Sequence, residues 1–378
     1  MRLRTVTPLC AFLLAACQAT SPAAPPAAAP SAAAPSAAAA EGTHSPEVLR
    51  LLAAARDAGE SELQLSWSDN TLGGSEGAQR LGRLFNQMYG TSIQVNFTPG
   101  PSMTDMSSRV SQEVATGRKS ETDLLLGGET HYAPLLDRDV LERYDYTQLS
   151  PRITPEVVAP NNVGVEVATR LPGITYNTNL VPPAEAPHTL EAALNPKWRD
   201  IMATTVNAAN FDRVAALPNW GAERTKAYVT RLSENVSGLV RCGETARFMS
   251  GEFGMLVMDC GGYEVQKGRA RGGPVGHVIP EDAAVIAIFY LGVPRTAAHP
   301  NLAKLFLNML LSEAGQRTIY ETEYMDHVGL PGSQSAAELN DVRAKGITPL
   351  RVDARFVAEH PELDHLSEEM TAILRDHR

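Results

Sequence analysis

Positive charge is scarce in this chain. Lys and Arg number 33 against 43 Asp and Glu, which gives the 378 residues a formal net charge of −10. A nucleic-acid binder needs a basic surface to neutralise phosphates, so we expect no nucleic-acid partner. Long apolar runs are lacking as well, because the apolar residues 283–291 fall well short of the about 20 residues that span a bilayer.

Cysteines and nucleotide-binding motifs are also scarce. Beyond Cys17 the chain contains two cysteines, Cys242 and Cys260. They form a possible disulfide in an oxidising compartment, although two buried free thiols fit the sequence nearly as well. The sequence contains no G-x-x-x-x-G-K-[ST] motif, so we do not expect the chain itself to hydrolyse ATP.

Residues 1–17 have the features of a secretory signal peptide. Arg2 and Arg4 precede the apolar residues 9–16, which are too few to span a membrane. The segment ends in Leu-Ala-Ala-Cys, which resembles a bacterial lipobox and implies cleavage before Cys17 with a lipid attached to that cysteine. The alternative is a plain secretory signal in which Cys17 has no role.

Residues 18–45 form a predicted tether. Its first 23 residues are almost all Ala, Pro, Ser or Thr without a periodic apolar face, a composition typical of an extended, mobile linker. Behind a lipidated cysteine, such a linker lets a folded body reach a partner from the membrane surface. We therefore predict a periplasmic or cell-surface protein, membrane-anchored by an N-terminal lipid.

The rest of the chain alternates short apolar strands with amphipathic helices. This order predicts an α/β fold with mostly parallel sheets, and the length predicts two domains. At four places a strand runs into a polar or Gly-rich turn ahead of a helix, in residues 67–77, 121–141, 201–217 and 254–263. Ligands bind beyond the carboxyl ends of strands in open α/β sheets, so we predict one pocket between these four junctions.

The candidate ligand-binding residues come from the junctions and from one nearby strand. Glycines allow close backbone approach, and free N–H groups at a helix start favour an anionic or polar ligand. Arg213 is suited to clamp a carboxylate or phosphonate, and Trp67 is suited to stack on a ligand. The full set is Trp67, Ser68, Asp69, Gly74, Ser75, Gly127, Gly128, Glu129, Tyr176, Asn207, Asn210, Arg213, Cys260, Gly261, Gly262 and Tyr263.

Each of these assignments has a structural alternative. The first junction fits an exposed turn, and Trp67 fits core packing equally well. Tyr176 fits a packed hinge strand slightly better than a ligand contact. A solvated helix residue is the alternative for Arg213. His131 is interpreted as a surface or packing residue, so it is not assigned to the site.

The order of elements resembles the type II solute-binding proteins of bacterial ABC importers, in particular the ferric-iron and phosphonate binders. The resemblance covers residues 62–333 and is carried by segments 123–141, 173–181, 220–235, 251–262 and 298–320. It implies two lobes, each a mostly parallel sheet flanked by helices, joined by crossover strands near residues 165–168 and 282–287. The implied lobes are residues 46–165 with 283–330, and residues 166–282 with 331–378.

The resemblance also implies a function. A monomer without a cofactor would capture a small molecule in the interlobe cleft and deliver it to a membrane permease. A ligand sensor that reports to a membrane receptor shares the fold and stays an alternative. Iron binders place adjacent tyrosines where this chain has Gly261 and Gly262, and residues 67–77 contain no histidine. Ferric iron prefers several anionic oxygens, so we predict a small organic anion and no bound metal, with ferric iron as the alternative.

A rival interpretation is enzymatic. Residues 73–77 match G-x-S-x-G, the nucleophile elbow of α/β-hydrolases, with Ser75 as the nucleophile. An elbow follows its strand in a tight turn, whereas residues 67–72 intervene here, and no HGGG-type segment precedes it. We therefore expect a binding protein and keep the serine hydrolase as a remote alternative.

Overall fold

The computed structural model describes residues 44–68 and 71–376. The predicted signal peptide with Cys17, residues 18–43 of the predicted tether, and Asp69 lie outside the described residues. Within the described part, no helix is both long enough and apolar enough to cross a bilayer.

Strands and helices alternate through the first part of the fold. The elements up to the first crossover are α1 Pro46–Asp57, β1 Glu62–Trp67, α2 Gly74–Tyr89, β2 Gln94–Pro99, α3 Met103–Ala115, β3 Leu125–Gly128, α4 Glu129–Tyr132 and β4 Val165–Arg170. Helix α1 shows how the sequence specifies an element. The Ser45 hydroxyl accepts the Val48 N–H at 3.2 Å, Pro46 occupies the first turn, and the buried Val48, Leu51 and Ala55 follow helical spacing.

The middle of the chain builds a second group of elements. They are β5 Ile174–Asn177, α5 Leu190–Ala193, β6 Met202–Thr205, α6 Phe211–Ala215, α7 Gly221–Ser233, β7 Gly238–Val240, α8 Thr245–Met249, β8 Met255–Val257, α9 Tyr263–Ala270 and β9 Val275–Val278. The last elements are β10 Val285–Gly292, α10 Pro300–Leu310, α11 Glu313–Glu323, α12 Ser335–Ala344, β11 Leu350–Arg351, α13 Ala354–Glu359 and α14 Glu362–Asp376.

The first lobe is built around β1, β2, β3, β4 and β10. Strands β1 and β2 pair in parallel, and β10 pairs antiparallel with both β3 and β4. Asp123, just ahead of β3, links this strand to β1, because its N–H donates to the Gln64 carbonyl at 2.8 Å and its side chain accepts the Gln64 N–H at 2.7 Å. Helices α1, α2, α10 and α11 pack their apolar residues over this lobe.

Strand β3 differs from its prediction. The sequence predicted a strand over residues 123–126 that ends at a sharp turn of Gly127 and Gly128. Instead, both glycines lie within β3, opposite Tyr290 and Phe289 of β10. Gly127 is required for packing, because a Cβ on it would lie 2.9 Å from the Cβ of His131. Gly127 therefore lets α4 pack closely on its own strand.

The second lobe contains a five-stranded sheet with the order β7-β6-β8-β5-β9. Strands β7, β6 and β8 are parallel, and β5 runs antiparallel to both of its neighbours. Helices α5, α6 and α7 pack on this sheet around buried residues that include Leu190, Phe211 and Tyr228.

Two crossovers join the lobes. The chain leaves the first lobe between β4 and β5 and returns along β10. Strand β10 belongs to both lobes, because Val285 lies in the second core and Phe289 and Leu291 lie in the first. Its pairing with β4 shifts register between Phe289 and Tyr290, which is the position of a bulge.

The segment after residue 330 divides between the lobes. The sequence-based division assigns residues 331–378 to the second lobe. Helix α14 packs there, against α6 and α7. Helix α13 packs instead against α4 of the first lobe, because Ala354 joins the apolar cluster around Leu125 and Tyr290.

Candidate functional site

The second and fourth junctions meet at Arg170, the last residue of β4. Gly128 pairs with Phe289, and the Arg170 guanidinium lies 5.2 Å from the centre of the Phe289 ring. On its other side, a Cβ on Gly261 would lie 2.8 Å from the Cβ of Arg170, and Gly261 has a φ of +120°. The two junctions therefore face each other across one arginine, and only glycine fits at Gly261.

Glu129 and Arg213 form an ion pair between the lobes. Glu129 is 0% exposed, and its carboxylate accepts the Ile288 N–H at 2.5 Å and an Arg213 Nη2–H at 2.6 Å. Arg213 is 7% exposed and also contacts the Asp212 carboxylate at 3.2 Å. Burial lowers the pKa of Arg213, but the carboxylates of Asp212 and Glu129 outweigh it and raise this pKa overall. Both predicted residues therefore lie at the lobe interface, within 2.6 Å of each other.

Asn210 ties the third junction to the fourth. It adopts a left-handed conformation with a φ of 69°, which Asn tolerates better than most residues. Its Nδ2 donates to the Asp259 carbonyl at 2.6 Å, and its Oδ1 lies 3.5 Å from Arg213 Nη1. Asn210 is 1% exposed, so it holds the two junctions together from within.

Arg170 is a functional candidate that the sequence analysis missed. Its Nη1 donates to the Cys260 carbonyl at 2.9 Å, while its Nε is buried without a hydrogen-bond partner. Among residues 44–68 and 71–376, no carboxylate forms an ion pair with it. Burial lowers the pKa of Arg170, and the nearby charge of Arg213 lowers it further. An unpaired guanidinium at this depth is a binding partner for an anion.

Buried ionic groups support the fourth junction from below. The Asp259 carboxylate accepts hydrogen bonds from the Gly173 N–H at 2.9 Å, the Thr175 hydroxyl at 2.5 Å and the Gly261 N–H at 2.8 Å. His277 Nε2 lies 3.1 Å from Asp259, and its Nδ1 lies 3.4 Å from Glu338. Burial lowers the pKa of His277, but the two carboxylates outweigh it and raise this pKa to about 10.

A disulfide joins Cys242 to Cys260 at the same junction. The bond fixes Cys260, whose carbonyl holds Arg170, to the loop that follows β7. The position of the Arg170 guanidinium therefore depends on a covalent cross-link within the second lobe.

Tyr263 and Lys267 make further contacts across the interface. Tyr263, the first residue of α9, packs against the apolar core of the first lobe. Lys267 Nζ lies 2.5 Å from the Glu323 carboxylate of α11. The same carboxylate accepts a hydrogen bond from the Gly73 N–H at the start of α2. Burial raises the pKa of Glu323 to about 7, although Lys267 opposes this shift. The Gly73 N–H at the N-terminus of α2 is therefore already bonded to a carboxylate side chain of the protein.

Two aromatic candidates are packed inside the lobes. Trp67 is 2% exposed within the first core, with its ring centre 5.9 Å from that of Phe97, so it does not present a face for stacking on a ligand. Tyr176 is 7% exposed and lies in the second core against Gly276, where a Cβ would lie 2.2 Å from the ring. These environments favour the packing alternative for both residues.

The first junction forms a different loop from the one predicted. Helix α2 begins at Gly74, which has a φ of +53°, rather than at residue 78. The Ser68 hydroxyl bonds that of Thr71 at 2.8 Å, and Ser75 is exposed in the first turn of α2. Six residues separate β1 from α2. The G-x-S-x-G motif therefore does not form the tight strand-turn-helix that a nucleophile elbow requires.

A groove of about 760 Å³ lies between the lobes beside these ions. Asn207 and Asp212 line it from the second lobe, and His131 lines it from the first. The His131 Nδ1 accepts the Gly128 N–H at 3.1 Å, which leaves the ring proton on Nε2, 3.2 Å from the Thr104 hydroxyl. Burial, followed by the charges of Arg213 and Arg170, lowers the pKa of His131 to about 4, so the ring is neutral at pH 7.

Within the described residues, no group of three or more His, Cys, Asp or Glu is arranged to hold a metal ion.

Gly262 ends the fourth junction as the cap of α9, where a Cβ would lie 2.9 Å from the Glu338 carboxylate. The space around it is therefore filled by neighbouring side chains.

A family model described as "Bacterial extracellular solute-binding protein" matches residues 81–349 of this chain. No curated protein matches.

Several solved structures share the fold. Iron-bound HitA from Pseudomonas aeruginosa has 19% identity and a TM-score of 0.66, over 82% of this chain and 99% of that one. An ABC-transporter substrate-binding protein from Agrobacterium tumefaciens has 15% identity and a TM-score of 0.67, over 84% and 95%. AfuA from Actinobacillus pleuropneumoniae, with fructose-6-phosphate bound, has 16% identity and a TM-score of 0.61, over 84% and 97%. These proteins are two-lobed periplasmic binding proteins, and the present chain has the same α/β fold.

Proposed function

Because this chain belongs to the bacterial extracellular solute-binding proteins, we propose that it captures a small organic anion between its lobes and delivers it to the membrane permease of an ABC importer. The environment of Arg170 is the observation that supports an anionic ligand. It lies at the lobe interface with a buried, unpartnered Nε and without a carboxylate partner among the described residues. A ligand carboxylate or phosphate supplies the partner that this guanidinium lacks.

Differential stabilisation of the closed lobes is the proposed mechanism of capture. The ion pairs Glu129–Arg213 and Lys267–Glu323 each join one lobe to the other. Each ion pair forms only while the two lobes are in contact, so we assign both ion pairs to the closed arrangement. An anion that contacts Arg170 from the first lobe and the fourth junction from the second favours that arrangement further. The permease then distinguishes the closed form from the open one.

We propose that the protein acts as a monomer held at the membrane by a lipid on Cys17, with residues 18–45 as a tether. The Leu-Ala-Ala-Cys sequence and the Ala/Pro/Ser composition support this arrangement. The test is membrane fractionation of cells that express the full chain or its Cys17→Ser variant. The wild type is expected in the membrane fraction and the variant in the soluble fraction. Equal distribution of the two would contradict the anchor.

Ligand binding by the full chain is tested by a thermal-shift screen, because a ligand that binds the folded state raises its melting temperature. The screen covers carboxylates, phosphonates, phosphates, polyamines, neutral sugars and ferric iron. At least one organic anion is expected to stabilise the wild type and to lose its effect on Arg170→Ala. Arg317→Ala is the matched control, because Arg317 is exposed on α11 and pairs only with Glu313 among the described residues.

Two results would overturn the proposal. A shift with ferric iron alone would establish an iron binder. Ester turnover that is abolished by Ser75→Ala, with no ligand shift, would establish the hydrolase alternative. A receptor-linked sensor would bind the same anion, so uptake by cells that lack the protein distinguishes it from an importer subunit. Uptake of the identified anion is expected to fall in those cells.

A further inference from the structure

The groove beside the buried Arg213 has walls rich in hydroxyl groups. Two lobes contribute them, from α3 and α4 on one side and α14 on the other. The hydroxyl-bearing residues that line it are Thr104, Ser107, Ser108, Thr130, Ser367 and Thr371. The groove volume of about 760 Å³ lies in the range of sites for small organic molecules.

Most of these hydroxyls have no hydrogen-bond partner in the part of the chain that the structure describes. Thr104 contacts His131, but within residues 44–68 and 71–376 the hydroxyls of the other five make no hydrogen bond. Ser107 is 8% exposed, and its hydroxyl is open to the groove. A hydroxyl can both donate and accept hydrogen bonds, so this wall is suited to a ligand that carries several donors and acceptors.

Carboxylates on α14 and α6 complete the wall. Asp364 and Glu368 line the groove one helical turn apart, opposite α3, and Asp212 lines it from α6. Burial raises the pKa of Asp364, and the negative charges of Asp212 and Glu368 raise it further. Carboxylates accept hydrogen bonds from ligand hydroxyls without requiring a ligand charge.

Helix α14 lies outside the region that matches the family model. The family match ends at residue 349, and α14 begins at Glu362. Its buried Leu363, Leu366, Met370 and Leu374 attach it to the second lobe, which leaves Ser367, Glu368 and Thr371 along the groove.

We propose that α14 is the specificity wall of the ligand site and that the ligand is a polyhydroxylated organic anion. This inference rests on the proposed function. The anionic group is directed to Arg170, because Arg213 is already paired with Glu129 and Asp212, and the hydroxyl groups lie along the groove. Asp212 and His131 connect the two parts, because both line the groove, Asp212 pairs with Arg213, and His131 accepts the N–H of Gly128 at the second junction.

Calorimetric titration of the full chain with matched probes tests the ligand class. Gluconate and other sugar acids represent a carboxylate source, and glucose 6-phosphate and other sugar phosphates represent a phosphate source. Hexanoate has the carboxylate of gluconate without its hydroxyls, and glucose has the hydroxyls without the anion. At least one polyhydroxylated anion is expected to bind about ten-fold more tightly than both controls. Silence toward the whole polyhydroxylated set, tighter binding of hexanoate, or tighter binding of a zwitterionic amino acid would overturn the inference.

Adjacent carboxylates on α14 give a matched pair of variants. Glu368 lines the groove, whereas Glu369 contacts Lys226 and His365 away from it. Glu368→Gln and the double variant Ser367→Ala with Thr371→Ala are each expected to weaken binding about ten-fold with an unchanged melting temperature. Glu369→Gln is expected to leave the Kd unchanged. Equal Kd values for all of these proteins would contradict the role of α14.

The two proposals fail in different ways. If Arg170→Ala abolishes binding of an anion but the α14 variants bind normally, the organic-anion function stands and the specificity wall does not. If the wild type binds glucose as tightly as gluconate, and the Arg170→Ala variant binds both with unchanged Kd values, the proposed capture of an organic anion is itself wrong.

Discussion

The interface between the lobes contains two contrasting regions. At the inner end, Glu129, Arg213 and Asp259 are buried and hold one another or the backbone at fixed distances. Along the groove, the hydroxyls of Ser107, Ser108, Thr130, Ser367 and Thr371 make no hydrogen bond within the described residues, and carboxylates such as Asp364 and Glu368 stand between them. Buried charges are costly to rearrange, whereas hydroxyls rotate freely between donor and acceptor roles. The inner end is therefore suited to fix a ligand's charge, and the groove is suited to adapt to its shape.

The largest expected effect concerns the pH dependence of the inner region through His277. Its pKa is about 10 in the fold, above its usual value near 6.5. The folded state therefore holds a proton that the unfolded state releases between these two pH values. The stabilisation is complete below pH 6.5 and is lost as the pH rises toward 10, by up to about 5 kcal/mol at 1.36 kcal/mol per pKa unit. Urea unfolding of the wild type and of His277→Asn at pH 6, 8 and 10 measures it. If the unfolding free energies of the two proteins change with pH in parallel, the contribution of His277 is contradicted.

The next effect concerns the Glu129–Arg213 pair. Arg213→Ala leaves a fully buried carboxylate without its partner, so we expect a loss of about 4 kcal/mol in unfolding free energy. Chemical denaturation measures this loss. The double variant with Glu129→Gln is expected to recover part of it, because the uncompensated charge is removed. A single and a double variant of equal stability would show that the pair is not coupled.

A smaller effect is expected from the disulfide between Cys242 and Cys260. The two cysteines lie 18 positions apart in the sequence. A disulfide that closes a loop of this size lowers the conformational entropy of the unfolded chain and so stabilises the fold by about 3 kcal/mol. The double variant Cys242→Ser with Cys260→Ser is therefore expected to unfold at a lower urea concentration than the wild type. Addition of dithiothreitol to the wild type should reproduce the change and have no effect on the variant. If reductant destabilises both equally, the bond is not its target.

The smallest effect on stability is expected in the groove. Ser108→Ala removes the hydroxyl of an exposed residue that has no partner among the described residues, so the unfolding free energy should change by less than about 0.5 kcal/mol. Thermal unfolding measures it without ligand. A loss comparable to that of Arg213→Ala would remove the distinction between the two regions.

The sequence predicted most elements because their periodicity is local. Strand β10 and helix α7 follow their apolar patterns closely. The elements that it did not predict are short or weakly amphipathic. Helix α12 buries only Leu339 and Val342, and β11 has two residues whose pairing partner lies 65 positions away. Local patterns contain no information on such pairings.

The same limit applies to the site. Arg170 was missed because its partner, Cys260, is 90 residues distant, and nothing near β4 marks a ligand contact. His131 was recognisable in principle, since it is the third residue of a helix whose cap is Gly128, the position from which a side chain reaches back to the cap N–H. The ligand-binding roles of the sixteen proposed residues stay predictions, although Glu129, Asn210, Arg213 and Gly261 lie together at the interface.

Strand β10 sets how the lobes move. Its first residues are embedded in one core and its last residues in the other, so the lobes share one continuous β-strand. Separating them must flex that strand, and the irregular pairing at Phe289 and Tyr290 is where a ladder of hydrogen bonds is already interrupted. Phe289 is also the ring beneath the Arg170 guanidinium. When the lobes separate as proposed, the same flexure moves the Phe289 ring that contacts the Arg170 guanidinium, so the exposure of this guanidinium is expected to change with the degree of opening.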